Sequence, residues 1–156
     1  MFSLSDTFFL LADSVSALCA DEFVARCGDI GMVEQPFVET DLEQILPVFG
    51  NGYLLRYITD DDATAMLEVI EKEVRVLQAG IQIIYPKKPS TSNLSEHYKK
   101  IVKIAKSYYG IGQPTKVGNM EILNYGNNET VFYIFKSNVN NNGVLTFRAG
   151  NRDFWD

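Results

Sequence analysis

Three consecutive aspartates, Asp60, Asp61 and Asp62, form the densest group of residues that could hold a metal or catalyse a reaction. Carboxylate oxygens are the ligands that Mg²⁺ and Ca²⁺ prefer. Calcium loops alternate their ligands with other residues, however, and this run does not. Acidic residues are also favoured at the start of a helix, where the backbone N–H groups are unpaired. We therefore predict no metal and no cofactor here.

The other residues with catalytic potential are few. The chain has one histidine, His97, between Glu96 and Tyr98, and we interpret it as a structural, partly exposed side chain. The spacing of Cys19 and Cys27 suits neither a zinc site nor a redox pair, so we interpret them as reduced core residues. No nucleophile elbow, zinc-protease motif or phosphate-binding loop occurs. The sequence therefore predicts a protein that is not an enzyme.

A group of lysines raises the question of nucleic-acid binding, because lysines neutralise phosphates. No nucleic-acid-binding motif accompanies them. The net charge of −6 would also repel a polyanion at long range. We therefore predict a solvated helix face and no nucleic-acid partner. The group comprises Lys87, Lys88, Lys99, Lys100, Lys103 and Lys106.

Charge is divided unevenly along the chain. Residues 1–79 hold fifteen acidic and four basic side chains, a net charge of −11, and residues 80–156 hold five and ten, a net charge of +5. One explanation is internal pairing, although exposed pairs contribute only about 0–1 kcal/mol each. The other is an acidic surface for a basic partner, since such surfaces raise association rates by roughly 10–10³ fold.

Two acidic loci and two tyrosines are the predicted partner-binding residues. Loops on a rigid scaffold commonly carry binding residues, and tyrosine is favoured at interface hot spots. Packing in a strand is the alternative interpretation of the tyrosines. The predicted residues are Glu39, Asp41 and Glu43, then Asp60, Asp61 and Asp62, with Tyr53 and Tyr57 nearby.

The small size, the acidity and the lack of catalytic residues are similar to those of bacterial immunity proteins, which protect a cell from a toxin. This resemblance of character implies an inhibitor that neutralises a basic protein, such as a nuclease toxin. The alternative is an enzyme or small-ligand-binding domain with an unrecognised pocket of carboxylates and tyrosines. No basic residue precedes Arg26 and no apolar run is long enough to span a membrane, so we predict a cytoplasmic protein without a membrane partner.

Three segments have the apolar periodicity of helices. Leu4–Arg26 carries apolar residues at Leu4, Phe8, Leu11, Val15 and Leu18. The second predicted helix runs from Asp60 to Ala79, with Met66, Ile70, Val74 and Leu77 on one face. The third runs from Asn93, its cap, to Tyr109, and buries Leu94, Tyr98, Ile101, Ala105 and Tyr108.

Strands are predicted where β-branched and aromatic residues lie between turn residues. They are Met32–Val33, Phe37–Val38, Tyr53–Ile58, Ile81–Tyr85, Met120–Tyr125, Thr130–Lys136 and Val144–Arg148. The last three should pair as an antiparallel meander. The predicted fold is a single α+β domain over residues 1–156, with N-terminal and central amphipathic helices packed on a C-terminal antiparallel β-meander with additional short strands. An exposed edge of this sheet is a candidate homodimer contact.

Overall fold

The computed structural model describes residues 4–15, 22, 26, 33–34, 51–58, 63–72, 75–85, 91–139 and 142–152. Helices α1 (Leu4–Ser14) and α2 (Thr91–Tyr109) lie in these ranges. The strands are β1 (Val33–Glu34), β2 (Asn51–Ile58), β3 (Thr64–Lys72), β4 (Arg75–Ile84), β5 (Gln113–Val117), β6 (Met120–Gly126), β7 (Thr130–Val139) and β8 (Asn142–Asn151).

All eight strands belong to one antiparallel sheet with the order β1-β2-β3-β4-β8-β7-β6-β5. Each half of the chain forms its own run of neighbouring strands, and the two runs meet where β4 pairs with β8. The α+β class and the C-terminal meander are therefore confirmed. The sheet extends further than expected, because the N-terminal half contributes four strands to it.

Both helices pack on one face of the sheet, which we call the core face. Phe8 of α1 makes an edge contact with Phe132 of β7, with ring centroids 5.1 Å apart, and Tyr109 of α2 stacks on the same ring at 5.6 Å. Burial of this apolar surface is the main stabilising contribution to such a fold. The sheet side of the core consists of alternate strand residues, among them Ala65, Leu67, Val69, Ala79, Ile81, Ile83, Ile134, Leu145, Phe147 and Ala149.

The predicted helix from Asp60 to Ala79 is wrong. Residues 64–72 and 75–84 are the antiparallel strands β3 and β4. Met66 and Ile70 are four residues apart, a spacing that places them on one side of a helix but also on one side of a strand. Burial alternates from Ala63 to Ile70, and β-branched residues such as Val69 favour strands. Gly80, which directly follows the predicted helix, lies inside β4.

The two remaining helix predictions are confirmed over most of the described residues. Leu4, Phe8, Leu11 and Val15 are buried as expected, and α1 ends at Ser14; most residues between Ser16 and Arg26, including Leu18, lie outside the described residues. Helix α2 begins at Thr91, so Asn93 lies within its first turn and is not its cap. It ends before Gly110, which has a positive φ of 101°.

One residue of the expected buried stripe of α2 is misplaced. Tyr108 is 42% exposed, and Tyr109 packs on the core in its place. Of the predicted strands, Tyr53–Ile58, Ile81–Tyr85 and the three C-terminal ones are confirmed within β2, β4, β6, β7 and β8, apart from Tyr85, which directly follows β4. Met32 and Phe37–Val38 lie outside the described residues. Strand β5 was not predicted, because Pro114 and the polar residues beside it are not typical of a strand.

Candidate functional site

The face of the sheet opposite the helices carries a row of polar residues. Successive residues of a strand point to opposite faces, and directly paired residues share a face. Because Leu67 and Phe147 belong to the core, Glu68 and Arg148 lie on the other side, which we call the open face. In the described part of the chain, no helix packs against this face. The register aligns Glu68, Gly80, Arg148, Tyr133 and Asn124 across five strands.

Arg148 is the centre of this row. Its Nη1 donates to the Tyr133 hydroxyl at 3.0 Å, and its Nη2 lies 3.5 Å from Oε2 of Glu68. Gly80 makes this arrangement possible, since a Cβ there would collide with the stem of Arg148. The side chains of Arg148 and Glu68 are 23% and 28% exposed. We call Glu68, Tyr133 and Arg148 the polar cluster; it is partly accessible and carries one charge of each sign.

Polar groups without hydrogen-bond partners gather around the polar cluster. In the part of the chain that the structure describes, four buried side-chain atoms make no hydrogen bond, and three of them belong to residues of the open face. These three are Oε1 of Gln78, Oγ1 of Thr146 and Nε of Arg148. Buried polar groups are nearly always paired, because an unpaired one loses its interaction with water and gains nothing. The open face is therefore not optimised for stability alone.

The basic residues of α2 lie on the other side of the molecule. Lys99, Lys100, Lys103 and Lys106 are exposed, as predicted for a solvated helix face. Among the described residues, the ion pair between Glu68 and Arg148 is the only one. The lysines of α2 are therefore not neutralised by acidic side chains within that part of the chain.

His97 has a structural setting. Its Nδ1 lies 2.6 Å from the hydroxyl of Tyr85, which is almost fully buried, and this contact connects α2 to the residue after β4. Burial raises the pKa of the Tyr109 hydroxyl, and burial together with Asp13 raises the pKa of Tyr108. Hydroxyls with raised pKa values stay protonated near neutral pH and do not act as bases. No group of three potential metal-binding side chains occurs within the described ranges.

Two of the eight predicted partner-binding residues, Tyr53 and Tyr57, lie in the described part of the chain. Glu39, Asp41, Glu43, Asp60, Asp61 and Asp62 lie outside the described residues. The backbone of β2 pairs Tyr53 with Val69 and Tyr57 with Ala65, two positions of the core face. Tyr53 and Tyr57 therefore occupy one face of β2.

Sequence reasoning did not identify the polar cluster. Glu68 and Arg148 are far apart in the chain, and only the pairing of β4 with β8 brings them together. Glu68 lies within the segment that the sequence predicts as a helix, from Asp60 to Ala79. The alternation of Leu67 with Glu68 and of Phe147 with Arg148 is the signal that places both residues opposite the core.

No family model, curated protein or solved structure matches this chain. Within the described residues, no helix is long and apolar enough to cross a membrane.

Proposed function

We propose that this chain is a small acidic protein-binding protein that neutralises a basic protein partner, such as a nuclease toxin. The observation that carries the proposal is the uneven distribution of charge along the chain. Residues 1–79 carry a net charge of −11 and residues 80–156 a net charge of +5, and the strands that begin in each part are neighbours in the sheet order.

Internal pairing of these charges is rare among the described residues. A fold that neutralised its own charges would interleave acidic and basic elements, and would show ion pairs between them. In the part of the chain that the structure describes, Glu68–Arg148 is the one ion pair, and it bridges the two halves. An unneutralised acidic region attracts a basic protein and accelerates its association. This supports the second explanation of the charge asymmetry.

The acidic loci remain the proposed contact. Asp62 precedes the first residue of β3, Thr64, by two residues, and consecutive Cα atoms are about 3.8 Å apart. The run Asp60, Asp61 and Asp62 is thus separated from β3 in the sequence by one residue, Ala63. Glu39, Asp41 and Glu43 belong to the same half of the sequence. These acidic residues make up the proposed interface of an inhibitor acting in the cytoplasm, without Tyr53 and Tyr57, whose partners in β3 are core positions.

Affinity capture tests the proposal. The immobilised chain is exposed to a lysate of the organism that encodes it at low salt, and bound proteins are eluted with rising salt and identified by mass spectrometry. We expect one basic protein in stoichiometric amount, released by salt because screening weakens the charge attraction. Recovery of nothing above a blank resin, or of a protein that salt does not release, would contradict the proposal.

The polar cluster favours a second candidate function, the binding of a small ligand. It places a carboxylate and a tyrosine on one surface, the combination expected for this alternative, and adds a guanidinium. A site for a small ligand needs a few convergent polar groups beside apolar surface. This candidate does not depend on the acidic loci.

A further inference from the structure

We propose that the polar cluster binds a zwitterionic small molecule of the α-amino-acid class. In this arrangement the ligand carboxylate accepts hydrogen bonds from Arg148 and Tyr133, and the ligand ammonium donates to Glu68. The proposal rests on hydrogen-bond donors and acceptors of Arg148, Tyr133 and Glu68 that remain unused. These residues are neighbours on the open face, and Arg148 and Glu68 carry opposite charges.

The donor side of the site consists of Arg148 and Tyr133. A guanidinium has five N–H donors, and Arg148 makes two polar contacts, one with Tyr133 and one with Glu68. The Tyr133 hydroxyl accepts from Arg148, and its own proton is donated to no group in the described part of the chain. The two donor groups are 3.0 Å apart, so a single carboxylate can bind both.

The acceptor side is Glu68. Its oxygen lies 3.5 Å from Nη2 of Arg148, whereas a strong charge-assisted hydrogen bond measures about 2.7–2.9 Å. An ionised carboxylate offers about four lone-pair positions, so Glu68 can also accept from an ammonium group. The charges of Glu68 and Arg148 cancel. The site therefore favours a ligand with both charges over a simple anion or cation, because each end of a zwitterion faces the opposite charge.

The surface next to the polar cluster suits an apolar ligand side chain. Tyr133 and Phe135 stand two residues apart on β7, and their rings stack at 6.1 Å with an interplanar angle of 9°. Both are half-buried and share the open face with Met66. Flat aromatic faces favour stacked or edge contacts with another ring. Phenylalanine and leucine are therefore the amino acids that fit best.

Calorimetric titration of the full chain with L-phenylalanine and L-leucine tests the proposal. For ligands with about a dozen heavy atoms we expect a dissociation constant on the order of 1 mM or tighter. N-acetyl-L-phenylalanine lacks the ammonium and L-phenylalaninamide lacks the carboxylate, so each should bind roughly 10- to 100-fold more weakly, as for loss of a charged hydrogen bond. Equal affinity for all three phenylalanine compounds, or no heat with either amino acid, would overturn the proposal.

Variants locate the binding. Glu68→Gln preserves shape and removes the charge, so it should weaken L-phenylalanine binding roughly 10-fold. Tyr133→Phe removes one donor and should weaken L-phenylalanine more than L-phenylalaninamide. Glu121→Gln is the matched control, because Glu121 is exposed and lies outside the polar cluster. Equal effects of Glu68→Gln and Glu121→Gln would refute the site. Capture of a basic protein partner would neither require nor exclude this binding, so the two proposals can fail separately.

Discussion

The stem of Arg148 crosses Gly80 so closely that a Cβ at Gly80 would overlap Cγ of Arg148 and lie 2.9 Å from its Cδ. Gly80 belongs to β4 and Arg148 to β8, and the two residues are paired directly. A glycine inside a strand weakens the strand, by about 0.5–1 kcal/mol relative to alanine in regular structure. Because Gly80 has no side chain, the side chain of Arg148 extends across β4 to Glu68 on β3.

Gly80→Ala should therefore lower the free energy of unfolding by about 1–2 kcal/mol. The overpacking destabilises the fold by more than the removal of a strand glycine stabilises it. Urea unfolding measures this change. In an Arg148→Ala background the clash is gone, and the same substitution should raise the free energy of unfolding by about 0.5–1 kcal/mol. A loss of equal size in both backgrounds would show that Arg148 is not the obstacle.

Thr146→Val should stabilise the protein. Thr146 is 1% exposed, and its hydroxyl has no hydrogen-bond partner among the described residues. Valine has the same shape without the hydroxyl, so the substitution should add about 1 kcal/mol and raise Tm by roughly 2–4 °C. Thr64→Val, at a half-exposed position of the same face, is the control and should change stability by less than about 0.5 kcal/mol. A lower Tm for Thr146→Val would mean that its hydroxyl is paired after all.

Stability should fall at alkaline pH. Burial raises the pKa of Tyr109, and neighbouring Tyr108 and Asp13 add to the shift. The folded protein thus holds this proton more tightly than the unfolded chain, whose tyrosines titrate near about pH 10. The contribution of the protonated Tyr109 to stability is complete below that pH and is lost as the pH rises above it. The free energy of unfolding then falls by no more than about 1.4 kcal/mol per pH unit. Tyr109→Phe should make the dependence shallower; an unchanged slope would contradict the assignment.

The end of α2 depends on Gly110. Its φ of 101° lies where residues with a side chain are strained, and its N–H donates to the carbonyl of Lys106 at 2.9 Å. Gly110→Ala should lower the free energy of unfolding by about 1–2 kcal/mol. Gly110→Asn should cost less, since asparagine tolerates positive φ better. Thermal unfolding of the two variants compares them, and an Asn variant less stable than the Ala variant would argue against this backbone conformation.

Sequence patterns predicted the helices better than the N-terminal strands. In α2 the periodic residues Leu94, Ile101 and Ala105 and the terminal Gly110 agree with one another. In β3 the spacing of Met66 and Ile70 fits both a helix and a strand, and the choice depends on pairing with β2 and β4. Pairing between distant segments decides such cases, and local propensity does not report it.

The polar cluster could not be predicted for a related reason. Glu68 on β3 and Arg148 on β8 approach each other only because β8 pairs with β4. This pairing places β8 two positions from β3 in the sheet. No residue close to Glu68 or Arg148 in the sequence indicates that β8 pairs with β4. The charge asymmetry, by contrast, is visible in the sequence alone.

The central claim is that the acidic half binds a basic protein, and affinity capture with three forms of the chain tests it most directly. The forms are the natural chain, a variant with Asp60→Lys, Asp61→Lys and Asp62→Lys, and a matched variant with Lys99→Glu, Lys103→Glu and Lys106→Glu. We expect the natural chain and the lysine variant to retain the same basic protein, and the aspartate variant to lose it. Equal retention by all three, or loss only with the lysine variant, would contradict the claim.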